Sequence, residues 1–200
     1  MKPTALAELI ERQYYGGDVS DDAGLERIDF VEYVYAAYSY IVKLNYWGNI
    51  KNTGEREINN QYVAVYDDVA VEYDEKQDLY YSVLPTDPIS LPNNIGIYQI
   101  SKMRTPNKPF APMGIGELYL FSGLPITQYT SDNNKVYYTN LDPNVKKVKM
   151  LIIPARPQDI HDDDVHEIKE LVMKQMLTMR NIPEDKNNNS NPNIAQPNGQ

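Results

Sequence analysis

Residues 30–47 read FVEYVYAAYSYIVKLNYW and residues 62–73 read YVAVYDDVAVEY. The first stretch places Phe30, Val34, Ala37, Ile41 and Leu44 on one stripe of a helix, the spacing of a core face. A second stripe carries Tyr33, Tyr40 and Trp47, and Tyr35, Tyr38 and Val42 fall between. A helix that is apolar on nearly every side must be covered on every side, by its own domain or by a neighbouring subunit. The second stretch has period two and is rich in β-branched and aromatic residues, which reads as strand. Helix followed by strands that return as hairpins makes the chain α+β rather than alternating α/β.

Working outward, Leu6, Leu9, Ile10 and Tyr14 form an apolar stripe, so a short amphipathic helix is expected over 4–15, ended by Gly16-Gly17. Ser20-Asp21-Asp22 offers caps for the Tyr-rich helix, expected over 22–47 and densest in aromatics from Asp29 to Trp47, with Gly48-Asn49 as its stop. A mainly antiparallel β section is expected over 58–153. Its strands are Tyr62–Tyr66, Val69–Tyr73, Leu79–Leu84 as a hairpin partner, Ile95–Ile100, Glu117–Phe121, Lys135–Thr139 and Val145–Ile153. Lys102–Gly116 reads as a long proline-punctuated loop. A last helix is expected over 160–180, with Val165, Ile168, Val172, Met176 and Met179 on one stripe and Asp159 or Asp162 as its cap. Residues 1–183 read as one domain, and 184–200, rich in Asn and Pro, as a disordered tail.

Composition narrows the chemistry. The 200 residues are 42% hydrophobic and 24% charged, enough for a sizeable core, and contain no cysteine, which excludes disulfides and thiolate zinc sites and fits a reducing compartment. A formal net charge of −9 opposes general nucleic-acid binding. Lys146, Lys147 and Lys149 alternate with apolar residues and read as the wet face of a strand. No run approaches the roughly 20 apolar residues that span a bilayer. The 17 Tyr against 3 Phe and 1 Trp favour surfaces that are exposed in one state and buried in another.

No motif assembles a catalytic, cofactor-binding or metal site. His161 and His166 stand at i and i+5 among acids, on different helix faces, unlike the i, i+4 pair of zinc proteases. The acids around them suit the positive end of a helix dipole. Gly114-Ile115-Gly116 lacks the Lys-Ser or Lys-Thr of a phosphate loop and reads as a backbone bend. Asp67-Asp68 reads as a bulge or exposed turn rather than an acid-base dyad. No nucleophile elbow is present.

The surface of interest is therefore one for assembly. One candidate patch is Tyr33, Tyr40 and Trp47. A second is the Lys102–Gly116 loop, where Lys102, Arg104 and Lys108 accompany Phe110 and Met113. That loop can insert between neighbouring subunits or serve as a stiffened surface crossover. Two other readings stand beside assembly: a monomeric accessory protein, such as a chaperone or inhibitor, gripping one partner, and a metal-dependent enzyme using 161–167.

A short N-terminal helix, a long Tyr-rich helix, a proline-punctuated β section, and Leu151-Ile152-Ile153-Pro154 leading through Pro157-Gln158-Asp159-Ile160 into a C-terminal helix resemble one known group. They are similar to virion structural proteins of crAss-like bacteriophages, the ring proteins stacked below the portal as head-to-tail connectors. The resemblance spans residues 1 to about 180. It implies a homo-oligomeric ring, twelvefold to match a portal, whose partners are copies of itself, the portal, and neighbouring connector or tail proteins. It also implies a channel through which DNA passes without specific binding, and a virion location after synthesis in the host bacterial cytoplasm.

Overall fold

The computed structural model describes residues 1–17, 25–55, 57–92, 95–114 and 126–180. Among the described residues three α-helices form one layer: α1 (Pro3–Tyr15), α2 (Arg27–Thr53) and α3 (Asp162–Arg180). Pro3 stands in the first turn of α1, where its missing N–H leaves no bond unmade, and Gly16 closes the helix at φ +75°. At the start of α2 the Asp29 carboxylate accepts from the Glu26 N–H at 2.9 Å. The Arg27 guanidinium, 2.8 Å from the buried Glu11 carboxylate, ties this end of α2 to α1.

α2 differs from the expected 22–47 at both ends. It begins at Arg27, while Ser20, Asp21 and Asp22 lie outside the described residues. It also runs through Gly48-Asn49 and stops at Gly54, whose φ of +75° only glycine adopts at little cost and whose N–H donates to Ile50 at 2.9 Å. A glycine inside a helix costs about 1 kcal/mol and does not by itself end one. Asn49 is kept helical by tertiary bonds, its Nδ2 donating to the Glu57 carbonyl at 3.1 Å.

The helical core gathers Leu6 and Ile10 from α1, Phe30, Val34, Tyr38, Ile41, Val42 and Tyr46 from α2, and Ile168, Val172 and Met176 from α3. The buried sector of α2 is centred between Val34 and Tyr38 and extends round to Val42 and Tyr46 rather than being centred on Phe30. Leu44, expected in the core, therefore falls on the same side as Tyr40 and is 46% exposed.

Among the described residues nine strands make two sheets. One has the order β1 (Ala64–Ala70), β9 (Lys147–Ile152), β4 (Ile97–Lys102), β5 (Thr105–Pro109). The other has the order β2 (Glu72–Asp74), β3 (Leu79–Val83), β8 (Lys135–Thr139), β7 (Gln128–Asp132), β6 (Ala111–Pro112). All pairings are antiparallel except β6 with β7. Asp67-Asp68 is a bulge in β1, with Asp68 at φ +63° and the register shifting between Tyr66 and Val69. The stretch Val69–Tyr73, expected as one strand, is divided: Val69 and Ala70 stay in the first sheet and Glu72 opens the second. The inner faces meet in a second core of Ile97, Ile100, Val148, Met150 and Ile152 against Tyr129, Val136 and Tyr138.

Residues 102–114 of the Lys102–Gly116 stretch are not the loop expected from the prolines, and 115 and 116 lie outside the described residues. The first part of the stretch is the β4–β5 hairpin and β6 follows. Pro106 and Pro109 are tolerated because β5 is an edge strand, where a missing ladder donor costs little. β7 was not anticipated, and the expected strand Glu117–Phe121 and the tail 184–200 lie outside the described residues.

Candidate interaction surface

The turn-by-turn geometry of α2 sets Tyr40, Leu44 and Trp47 at i, i+4 and i+7, on one line facing away from both cores. They are 51%, 46% and 53% exposed. The indole of Trp47 rests edge-on against buried Tyr46, with ring centroids 5.2 Å apart, so it is held rather than free to fold back. Beside this line α2 and α3 leave a groove of about 480 Å³, lined by Ala36, Ala37, Tyr40, Leu171, Lys174, Gln175 and Thr178. Leu177 of α3, 47% exposed, continues the apolar surface. Tyr33, grouped with Tyr40 and Trp47 from the sequence, is half-buried and packs against the helical core.

The Lys102–Gly116 residues divide. Phe110 is buried in the strand core, edge-on to Tyr138 with centroids 5.9 Å apart, and Met113 is buried with Tyr137. These two side chains are taken up by the chain's own packing, which leaves only the charged residues of this candidate patch at the surface. Lys102 lies 3.9 Å from Asp142, while Arg104 and Lys108 are exposed on the hairpin. The α2 stripe belongs to the helical layer and the hairpin to the strand layer, so the fold does not bring the two candidate patches together.

The acid-rich start of α3 has a role that its sequence did not announce. Asp164 is buried and accepts from the Tyr62 hydroxyl at 3.1 Å, with Gln61 Nε2 at 3.4 Å. Burial first, and then the Asp164 charge, push the Tyr62 hydroxyl up to about 12. Burial chiefly raises Tyr38 as well, beside Tyr62 at 6.1 Å between centroids. The pair could have been suspected only from Asp164 lying on the same helix stripe as Ile168.

The two histidines face different acids, His161 with Asp163 at 3.3 Å and His166 with Glu170 at 3.2 Å. Among the described residues no group of three or more His, Cys, Asp or Glu converges to hold a metal, and no helix is long and apolar enough to cross a membrane. Asp67 and Asp68 each pair with a lysine, Lys149 and Lys147, both at 3.2 Å. Gly114-Ile115-Gly116 runs beyond the described residues after Gly114. No model of a known protein family matches the chain, and comparison with curated proteins finds no match.

Proposed function

We propose that the chain is a non-enzymatic structural subunit that assembles into a homo-oligomeric ring in a bacteriophage head-to-tail connector. There it extends the portal channel and joins it to tail components in the virion. The observation that carries the assembly reading is the Tyr40, Leu44 and Trp47 line beside the α2–α3 groove. An exposed aromatic and aliphatic line of this kind is stable alone yet gains by being covered, as at the core of protein interfaces. The twelvefold ring and the portal as partner come from the resemblance in element order. The net charge of −9 supports a channel along which DNA slides, because few cations are offered to displace its counterions.

Replacing Tyr40 and Trp47 together with serine tests the reading. Both side chains are about half exposed, so the thermal midpoint should move by only about 2–4 °C, the shift for roughly 1 kcal/mol in a chain of this size. Light scattering should show the wild-type oligomer lost in the variant. An oligomer of unchanged mass rejects the stripe as the subunit contact. A wild-type chain that stays monomeric in the presence of its portal supports the accessory-protein reading instead.

A further inference from the structure

At one end of the first sheet, the β4–β5 turn, the segment leading into β9 and the β1 bulge enclose a depression of about 600 Å³. Lys102, Arg104, Lys146 and Lys147 stand around it with Asp68 and Asp142. Asp68 is matched by Lys147 at 3.2 Å and Asp142 by Lys102 at 3.9 Å. Arg104 and Lys146 have no acidic partner among the described residues, although the chain as a whole carries −9.

Exposed acids stand beyond the other end of the same sheet. β1 runs from Ala64, next to the helical layer, to Ala70, next to the cleft, a span of about 20 Å at strand rise. Tyr62, just before β1, holds Asp164 at 3.1 Å and so fixes the first turn of α3 at that end. From this turn the Asp162 and Asp163 carboxylates project, with side chains 93% and 83% exposed. Their partners, the Met1 amine at 3.6 Å and His161 at 3.3 Å, make only loose surface pairs.

We infer that the cleft of one copy receives the Asp162-Asp163 turn of the next, with Arg104 and Lys146 pairing with the two carboxylates. The inference rests on the ring reading and supplies its head-to-tail contact. A closed heterologous ring needs two different, complementary patches on each subunit, and these stand beyond opposite ends of one sheet. Arg104 favours a carboxylate partner because its planar fork matches both oxygens. Nucleic acid suits the cleft less well. Only two cations are unmatched, and Asp68 and Asp142 in the walls repel phosphate.

The test is a charge-swap cycle read by concentration-dependent light scattering at low salt. R104E/K146E and D162K/D163K should each weaken self-association by about tenfold or more, and the chain with all four changes should recover to within about threefold of wild type. All of these side chains are exposed; because D162K/D163K also opposes the α3 dipole, a melting curve that stays cooperative and falls by only a few degrees would confirm intact folding. Assembly unaffected by either reversal overturns the cleft contact and leaves the ring reading standing. Two losses without recovery in the combined chain also overturn it. A wild-type chain that never self-associates removes the ring reading and this contact together. Salt-sensitive binding of duplex DNA that R104E/K146E abolishes without altering assembly assigns the cleft to nucleic acid instead.

Discussion

At the scale of single residues, the first turn of α3 separates two roles that one run of aspartates can play. Asp162, Asp163 and Asp164 all stand where the helix dipole favours a negative charge, a contribution of about 0.3–1 kcal/mol each. Only Asp164 is buried, and only it accepts from Tyr62 and Gln61. Removing a buried acceptor leaves its donors unsatisfied, which costs about 1–3 kcal/mol, whereas an exposed substitution stays within about 0.5 kcal/mol. Asp164→Ala should therefore lower stability severalfold more than Asp162→Ala in urea unfolding. Equal losses would mean that the dipole, not the Tyr62 bond, fixes this turn.

At the scale of elements, α2 tests how much a glycine matters where it does not end a helix. A Cβ built on Gly48 meets nothing within 4 Å, and the residue lies in mid-helix with Gly54 as the true cap. Gly48→Ala should stabilise the chain by about 0.5–1 kcal/mol, because alanine loses less backbone freedom on folding. A raised midpoint in thermal melts checks this; an unchanged or lower one would show that the α2 backbone is strained there. The same helix shows what the sequence could convey. The periodicity of residues 30–47 marked a helix with more apolar faces than one core can bury, and Tyr40 and Trp47 do stand outside it. The pattern does not show the rotation of α2, set by what α1 and α3 bring against it, and that rotation turns Leu44 out of the core. Strand signals were weakest where alternation breaks down. β7 buries Tyr129 and Thr130 in succession, and β5, Thr-Pro-Asn-Lys-Pro, buries none of its residues and so shows no alternation. Phe110 and Met113 carry a loop signal in the sequence because the prolines around them mask an edge hairpin.

At the scale of the whole molecule, the two cores meet at consecutive residues: Ile152, last in β9, is buried among the strands and Ile153 among the helices. Each core also buries tyrosine hydroxyls whose protons are held more tightly than in an unfolded chain. Tyr62 on the helical side and Tyr129 on the strand side are both raised from 10.0 to about 12, chiefly by burial. Burial likewise raises Tyr38 and Tyr138. The unfolded chain releases the Tyr62 and Tyr129 protons near pH 10 and the folded chain only near pH 12, so between them the folded state binds more protons. Stability is then constant with respect to these groups below about pH 10 and falls as pH rises toward about 12. Because Ile152 and Ile153 couple the cores through one stiff strand end, the two sides should fail together. Phenolate absorbance from the buried tyrosines should appear in a single step coincident with loss of circular dichroism, after the exposed tyrosines have titrated. Tyr129→Phe, which removes a titrating group from the strand core, should flatten the fall in stability above about pH 10 for the whole chain. Two separated steps, with Tyr129→Phe affecting only one, would show instead that the helical and strand layers unfold independently.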